Sequence, residues 1–180
     1  MSADDLPEAP NRGLAVAKAI GTDVETLVVD ALAPLSHADD PDAHHDAETT
    51  SLLDPTTVAD AVVPVTFAGI PLVESGTEVE IKACAKSHSN GDRTTPGRWT
   101  FKGRDDGQHD ELLRENAVYV LAVYEETDNG ARELVALAVI PASLLDEKIR
   151  ESWYDIDRHE GTLARLSWHH IILEERGDSA

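Results

Sequence analysis

Apolar residues recur with helical spacing in the first part of the chain. From Gly13 onwards they stand three or four positions apart, so that they share one face of a helix. Gly21 interrupts the pattern, and Thr22 with Glu25 has the spacing of a Thr-x-x-Glu capping box. The pattern therefore predicts a helix that starts afresh after the glycine and covers residues 22–33.

The segments that follow change from a polar stretch to a period of two. Residues 36–50 (SHADDPDAHHDAETT) are polar, charged and interrupted by proline, which indicates a solvated loop. An apolar stretch, VVPVTF, follows at 62–67. In EVEIKACAK, at 78–86, apolar and polar side chains alternate, as in a strand with one buried face. A loop and two strands are predicted.

Predicted strands and helices alternate through the rest of the chain. In order, they are strand RWTFK (98–102), helix HDELLREN (109–116), strand AVYVLAVY (117–124), strand ELVALAVI (133–140), helix ASLLDEKIR (142–150) and strand RLSWHHIIL (165–173). Asn129 and Gly130 have the character of a hairpin turn, which makes 133–140 antiparallel to the strand before it. This order predicts an α/β domain with a mixed central sheet flanked by helices.

Length and composition fit one domain. With 180 residues, 41% of them hydrophobic, the chain suits one core. We predict a single domain over 13–176, with a solvated loop at 36–50, between a flexible acidic tail (1–12) and a short tail (177–180). No run approaches the roughly 18 apolar residues of a membrane span, and no signal-peptide pattern opens the chain. The single cysteine argues against disulfides and multi-cysteine zinc sites. A cytoplasmic protein without a membrane partner is expected.

The chain is strongly acidic. Its net charge is −20, from 35 acidic and 15 basic residues. Acidic surfaces that are poor in lysine suit molar salt, where screening acts over about 3 Å. The composition therefore favours a halophilic archaeon, or a virus of one, as the source.

The basic residues are concentrated in one segment, which we call the basic island. Residues 1–81 contain two basic and sixteen acidic residues, whereas residues 82–104 contain six basic residues and one acidic residue. The six are Lys82, Lys86, Arg93, Arg98, Lys102 and Arg104. Such a segment marks a place where a polyanion could bind.

Three charged side chains share one face of the predicted strand at 78–86. Glu78, Glu80 and Lys82 alternate with apolar residues, and successive positions on one face lie roughly 6.6–7 Å apart. Carboxylates and retained waters suit a hard cation such as Mg²⁺. A neighbouring ammonium can then hold or activate the attacking water. The spacing points to metal-assisted hydrolysis if a second carboxylate approaches from another strand.

These residues and the order of elements around them resemble the PD-(D/E)XK nuclease superfamily, which includes restriction endonucleases and Holliday-junction resolvases. The resemblance is carried by Glu80-Ile81-Lys82, followed by RWTFK, HDELLREN and AVYVLAVY. With the helix at 22–33, it implies a restriction endonuclease-like αβββαβ core over about residues 22–125. An added hairpin strand, a helix and a C-terminal strand would follow.

The resemblance also implies an activity and a site. It implies a Mg²⁺-dependent endodeoxyribonuclease, with Mn²⁺ as an alternative ion, in which Asp60 and Glu80 bind the metal and Lys82 activates water. Glu74 is the second choice for the upstream acid. The further candidates for the site are Glu25, Glu78, Gln108 and His109. The nucleic-acid-binding residues would be Lys86, Arg93, Arg98, Lys102 and Arg104.

Several alternatives stay open at this point. Glu25 could be only the capping partner of Thr22, and His109 could only cap a helix or lie on the surface. The residues of 36–50 that resemble metal ligands fit a solvated loop better; they are His37, Asp39, Asp40, Asp42, His44, His45 and Asp46. RNA in place of DNA and a homodimer are also open. The rival functions are a non-catalytic nucleic-acid- or protein-binding module on the same fold, and a halophile's interaction module without nucleic acid.

Overall fold

The computed structural model describes residues 12–156 and 161–173. The helices are α1 (Arg12–Ala31), α2 (Gln108–Arg114) and α3 (Ala142–Ile149). The strands are β1 (Leu35–His37), β2 (Ala47–Thr49), β3 (Val65–Phe67), β4 (Glu78–Ala85), β5 (Ser87–Asn90), β6 (Arg93–Pro96), β7 (Arg98–Lys102), β8 (Val118–Glu126), β9 (Arg132–Pro141), β10 (Tyr154–Asp155) and β11 (Thr162–Ser167). Short 3-10 turns follow at Arg150–Ser152 and Trp168–His170.

The central sheet has six strands in the order β1-β2-β4-β8-β9-β3. β4 and β8 pair in parallel, as do β3 and β9, whereas β1 with β2, β2 with β4, and β8 with β9 are antiparallel. The predicted mixed sheet flanked by helices is confirmed. So is the antiparallel hairpin that the Asn129-Gly130 turn predicted.

Each face of this sheet has its own apolar core. On one face α1 packs Val24 and Val28, together with Leu32 just after the helix, against a cluster that includes Val79 and Ile81 of β4. On the other face α2, α3 and a second sheet, ordered β10-β11-β7, enclose a cluster that includes Cys84, Trp99 and Phe101. β4 therefore lies between α1 on one side and α2 on the other.

The first helix is longer than the sequence predicted. α1 runs through Gly21 without a break, and the Thr22 hydroxyl donates a hydrogen bond to the Lys18 carbonyl at 3.2 Å. A glycine inside a helix costs about 1 kcal/mol. Burial contributes about 1.5–3 kcal/mol for each of Val24 and Val28, which outweighs that cost. The predicted capping box at Thr22 is therefore wrong.

Other predicted elements are also corrected. The segment 36–50 contains most of β1 and all of β2, so it is not only a loop. These strands were not predicted because three residues are too few to show an alternation of apolar and polar side chains. RWTFK forms β7 in the second sheet rather than a strand of the central one. The last strand ends at Ser167 and continues as a 3-10 turn.

The ends of the predicted domain fall partly outside the described residues. The tail predicted at 1–12 lies there except for Arg12, which begins α1, and the tail at 177–180 lies there completely. Within residues 12–156 and 161–173, no helix is long and apolar enough to cross a membrane.

Candidate active site

Asp46 is joined to the middle of β4 by a backbone contact. β2 pairs with β4 through Ala47–Val79 and Glu48–Glu78, and Asp46 directly precedes β2. The Ile81 N–H donates a hydrogen bond to Asp46 Oδ2 at 2.9 Å. This contact fixes a carboxylate beside the Glu80-Ile81-Lys82 stretch.

Glu80 lies at the centre of the site and is almost completely buried, with 1% of its surface exposed. Its Oε1 accepts hydrogen bonds from Lys82 Nζ and, at 2.8 Å, from Gln108 Nε2. Its Oε2 is buried and has no hydrogen-bond partner among the described residues. Because buried polar atoms are almost always paired, this oxygen is a candidate ligand atom.

Burial and neighbouring charges together hold two groups of the site away from their ordinary pKa values. Burial raises the pKa of Glu80 to about 7, with Lys82 opposing the shift and Asp46 adding to it. Burial lowers the pKa of Lys82, but the adjacent Glu80, with Asp46 and Glu25, outweighs burial and leaves this pKa above its usual value. Lys82 is therefore an ammonium at neutral pH.

The N-terminus of α2 places Gln108 against Glu80. Gly103 has φ +76°, and a Cβ at Gly107 would lie 2.4 Å from the Gly103 Cα. This close approach, possible only without side chains, turns the chain sharply into the helix. Gln108 Nε2 also donates to the His44 carbonyl at 2.9 Å, so that it ties the segment before β2 to Glu80.

Glu25 approaches the same site from the other face of the sheet. It lies in the interior of α1 and is half-buried, and burial together with the Asp46 charge raises its pKa against the opposing Lys82 and His37. Its interpretation as a capping residue is wrong, because Thr22 begins no helix.

The donor set fits a hard divalent cation. Glu80 has a side-chain contact with Asp46 that raises its pKa, and two carboxyl groups that lie side by side favour either a shared proton or a cation. In the described part of the chain, no three His, Cys, Asp or Glu side chains converge as metal ligands. Two carboxylates with the other positions left to waters and phosphate oxygens match the usual Mg²⁺ pattern.

The structure does not bring Asp60 to this site. Asp60 is exposed in the segment before β3, which pairs with β9 at the far side of the sheet. β4 and β3 are separated by three strand spacings, about 14 Å. The side chains that bond Glu80 or shift its pKa are Lys82, Gln108 and Asp46, and Asp60 is not among them. The expectation that Asp60 approaches Glu80 is therefore wrong, and Asp46 takes that place.

The other two acids considered from the sequence lie at the margin. Glu74 is exposed in a turn, where its carbonyl accepts hydrogen bonds from the Thr49 and Thr77 hydroxyls. Glu78 Oε2 lies 3.4 Å from His45 Nδ1. Neither contact involves Glu80.

His109 is a core residue and lies neither on the surface nor at the site. It is fully buried, with Nδ1 at 2.8 Å from the Tyr119 hydroxyl and Nε2 at 3.3 Å from Asp146 Oδ1. A buried ring with both nitrogens occupied cannot reach a phosphate or the attacking water. Both sequence interpretations of this histidine, as a site residue and as a capping or surface residue, are corrected.

The basic island is divided over several elements. Lys82 belongs to the site, Lys86 Nζ lies 3.9 Å from Glu125 Oε2, and Arg104 donates to the Arg150 carbonyl at 3.2 Å. The others are Arg93 on β6 and Arg98 and Lys102 on β7. Arg98 and Lys102 share strand parity and hence a face.

One residue near these surfaces was set aside in the sequence analysis, and another was missed. Asp46 was interpreted as part of a solvated loop, and it stands much further before Glu80 than the upstream acid expected from the resemblance. Arg165 is exposed between buried Ala164 and Leu166 of β11. Only the alternation within LARLS could have indicated that it points outward.

Comparison with known proteins agrees with this arrangement. A family model described as a PD-(D/E)XK nuclease superfamily domain matches residues 12–173, which include Asp46, Glu80 and Lys82. A search of curated proteins by sequence finds no match. The mixed α/β architecture is consistent with a restriction endonuclease-like fold. Because the match covers most of the chain, this protein belongs to the PD-(D/E)XK nuclease superfamily.

Proposed function

We propose that the protein is a metal-dependent nuclease that hydrolyses DNA phosphodiester bonds, with Asp46, Glu80 and Lys82 at its active site. The observation that supports this best is the buried Glu80 carboxylate. One of its oxygens is held by Lys82 and Gln108, while the other has no partner and the Asp46 carboxylate is adjacent. A cation would satisfy that oxygen and relieve the repulsion between the two acids.

Each side chain has a role that follows from its chemistry. Asp46 and Glu80 would hold Mg²⁺, or Mn²⁺ as the alternative, through carboxylate oxygens. When bound, the ion supplies positive charge against the phosphate and favours a hydroxide nucleophile. Lys82, as an ammonium, donates a hydrogen bond to the attacking water and stabilises the charge that develops on it. Gln108 orients Glu80 by holding Oε1, and Glu25 adds negative charge from α1.

The remaining basic residues are proposed to receive the DNA backbone. They are Lys86, Arg93, Arg98, Lys102 and Arg104. Contacts to phosphates position the substrate without reading its sequence. The net charge of −20 opposes such binding, and this repulsion is screened when salt is high.

The test is cleavage of linear and circular DNA with Mg²⁺, Mn²⁺ or EDTA, at low and at molar KCl. Metal-dependent products are expected from the wild type, and Lys82→Ala should cleave at least about 100-fold more slowly. Lys148→Ala, an exposed lysine on α3, is the matched control and should cleave normally. Cleavage of circular DNA identifies an endonuclease. DNA binding without cleavage under every condition would support the alternative, a non-catalytic module on the same fold.

Two predictions from the sequence do not depend on this site and stay predictions: the halophilic archaeal or viral source and the cytoplasmic location. The homodimer and RNA in place of DNA stay the alternatives that the sequence left open.

A further inference from the structure

β5 and β6 form a polar ribbon that extends from the end of β4. All four residues of β5 are exposed, and in β6 only Pro96 is half-buried. The register pairs His88 with Thr95 and, at the tip, Asn90 with Arg93. Neither strand contributes to the two apolar cores of the described chain. A two-stranded ribbon without an apolar face gains little from folding, and its exposed polar side chains are available for contacts with a partner.

The base of this ribbon is held firmly. A Cβ at Gly97 would lie 1.7 Å from the Ala85 carbonyl oxygen, so the two chains meet there in backbone contact. The Gly97 N–H donates to the Lys86 carbonyl at 3.2 Å, and Trp168 Nε1 donates to the same carbonyl at 2.8 Å. The direction of the ribbon is therefore fixed by the core.

Beside the ribbon lies an outward face of the second sheet, which we call the arginine face. It consists of Arg98 and Thr100 on β7 and Arg165 on β11, where Arg165 is opposite Thr100 in the register. Both arginines are exposed, while Trp99 and Phe101 point inward and are buried. The arginine face carries positive charge in a chain whose net charge is −20.

Ribbon and arginine face line one groove. The described residues around it are His88, Thr95, Pro96, Arg98, Thr100 and Arg165. They include no acid and no Trp, Tyr or Phe. The groove therefore suits an anion and lacks the aromatic platforms on which single strands stack.

We propose that this groove holds the phosphate backbone of double-stranded DNA while the β5–β6 ribbon enters the major groove. The inference rests on the proposed function, for which it specifies duplex DNA as the substrate. Four residues per strand extend about 13 Å, which is enough for a B-form major groove about 8.5 Å deep and 12 Å wide, a groove that admits a two-stranded ribbon.

The same dimensions select DNA over RNA. The major groove of A-form RNA is deep and too narrow for side chains to read, so the ribbon has no place in an RNA duplex. At the ribbon tip, Asn90 and Arg93 carry the amide and guanidinium groups that hydrogen-bond adenine and guanine edges. The arginine face then provides affinity, and the tip provides a preference among sequences.

The experiment is a binding measurement by fluorescence anisotropy in EDTA, so that the wild-type chain binds without cleaving. The probes are a duplex DNA of about two helical turns, one of its single strands, and a duplex RNA of the same sequence. Arg98→Ala with Arg165→Ala should weaken duplex DNA binding about tenfold or more. It should also reduce the slope of log affinity against log salt by about 1–2.

A matched control removes two positive charges elsewhere. Arg114→Ala with Lys148→Ala, on α2 and α3, should leave affinity and salt slope close to those of the wild type. A second variant replaces residues 89–94 by Gly-Gly and should lose the preference for duplex over single-stranded DNA. Circular dichroism and thermal melting check that each variant is folded.

Three results would overturn the inference. The first is an equal loss of affinity for duplex DNA in the arginine-face variant and in its control. The second is an unchanged preference for duplex over single-stranded DNA after the ribbon is shortened. The third is binding of the RNA duplex as tight as that of the DNA duplex. Failure of the proposed function has a different signature. If the protein is not a nuclease, no form of DNA is cleaved in the presence of metal, even where the ribbon binds duplex DNA. If single-stranded DNA is cleaved with metal and duplex binding does not depend on the ribbon, the proposed nuclease function stands. The inference that duplex DNA is the substrate is then wrong.

Discussion

The backbone N–H of Ile81 donates a hydrogen bond to the Asp46 carboxylate at 2.9 Å. Through this bond Asp46, which directly precedes β2, is held against Ile81, which lies between Glu80 and Lys82 on β4. The bond uses Oδ2 as its acceptor. Asp46 is thus fixed in position beside a buried glutamate.

Asp46→Asn should abolish metal-dependent cleavage, whereas Asp60→Asn should not. The first change removes an anionic oxygen from the proposed ion site, and the second alters an exposed residue near the other edge of the sheet. Cleavage and the rise of melting temperature with Mg²⁺ are the two measurements. If Asp60→Asn loses both cleavage and the Mg²⁺-dependent rise of melting temperature while Asp46→Asn keeps them, Asp60 is the metal ligand, as the sequence predicted.

Lys82→Ala should separate metal binding from cleavage. Cleavage should fall by about 100-fold or more, since a positioned proton-transfer or charge-stabilising group contributes about that much. Metal binding should persist because both carboxylates remain. Lys82→Arg keeps the charge but not the compact ammonium and should recover activity only in part. Wild-type cleavage by Lys82→Ala would remove this residue from the mechanism.

Glu80→Gln should stabilise the metal-free protein at alkaline pH. Glu80 has a pKa of about 7 in the folded state against its ordinary value of 4.5, so the folded state binds the extra proton between these pH values. Stability attributable to this group is therefore highest below about pH 4.5 and falls as pH rises to about 7, by roughly 3 kcal/mol in total.

Urea unfolding at about pH 5 and about pH 8 measures this effect, with Glu78→Gln as a half-buried control on the same strand. The stabilisation by Glu80→Gln should be larger at the higher pH. Mg²⁺ should stabilise the wild type and not Glu80→Gln, because binding requires the ionised carboxylate. Equal effects at both pH values would contradict the raised pKa.

His109 should make the fold sensitive to acid. Burial lowers its pKa, and the Asp146 hydrogen bond and charge only partly oppose the shift. Stability from the neutral ring is complete above the unfolded pKa of about 6.5 and is lost as pH falls below it. Acidification has the opposite effect on the stability that depends on Glu80, so the measurement is made in the Glu80→Gln variant. In that background, adding His109→Gln should reduce the loss of stability between about pH 7 and pH 5. Adding His170→Gln, at an exposed position, should not.

The fold should be more stable in concentrated salt. Sixteen acidic residues fall in the first 81 positions, and their repulsion is weakened as the screening length falls from about 10 Å at 0.1 M to about 3 Å at 1 M. Thermal melting in about 0.1 M and about 3 M KCl measures this. An equal or higher melting temperature at the lower concentration would reject the halophilic interpretation.

The sequence alone determined the mixed sheet, the antiparallel hairpin at Asn129-Gly130 and the Glu80-Ile81-Lys82 stretch. These are local patterns: alternation, turn chemistry and side chains of one parity are properties of neighbouring residues. The superfamily itself was indicated by this stretch together with the order of its neighbouring elements.

The tertiary structure decided which residues meet Glu80. Asp46 and Gln108 are distant from it in sequence, and no local period marks either, because β2 has three residues and α2 begins at a glycine turn. Asp60 precedes a real strand, but that strand pairs at the far edge of the sheet. The pairing order of strands depends on packing across the whole core, and it is this order that places Asp46 beside the glutamate and Asp60 away from it.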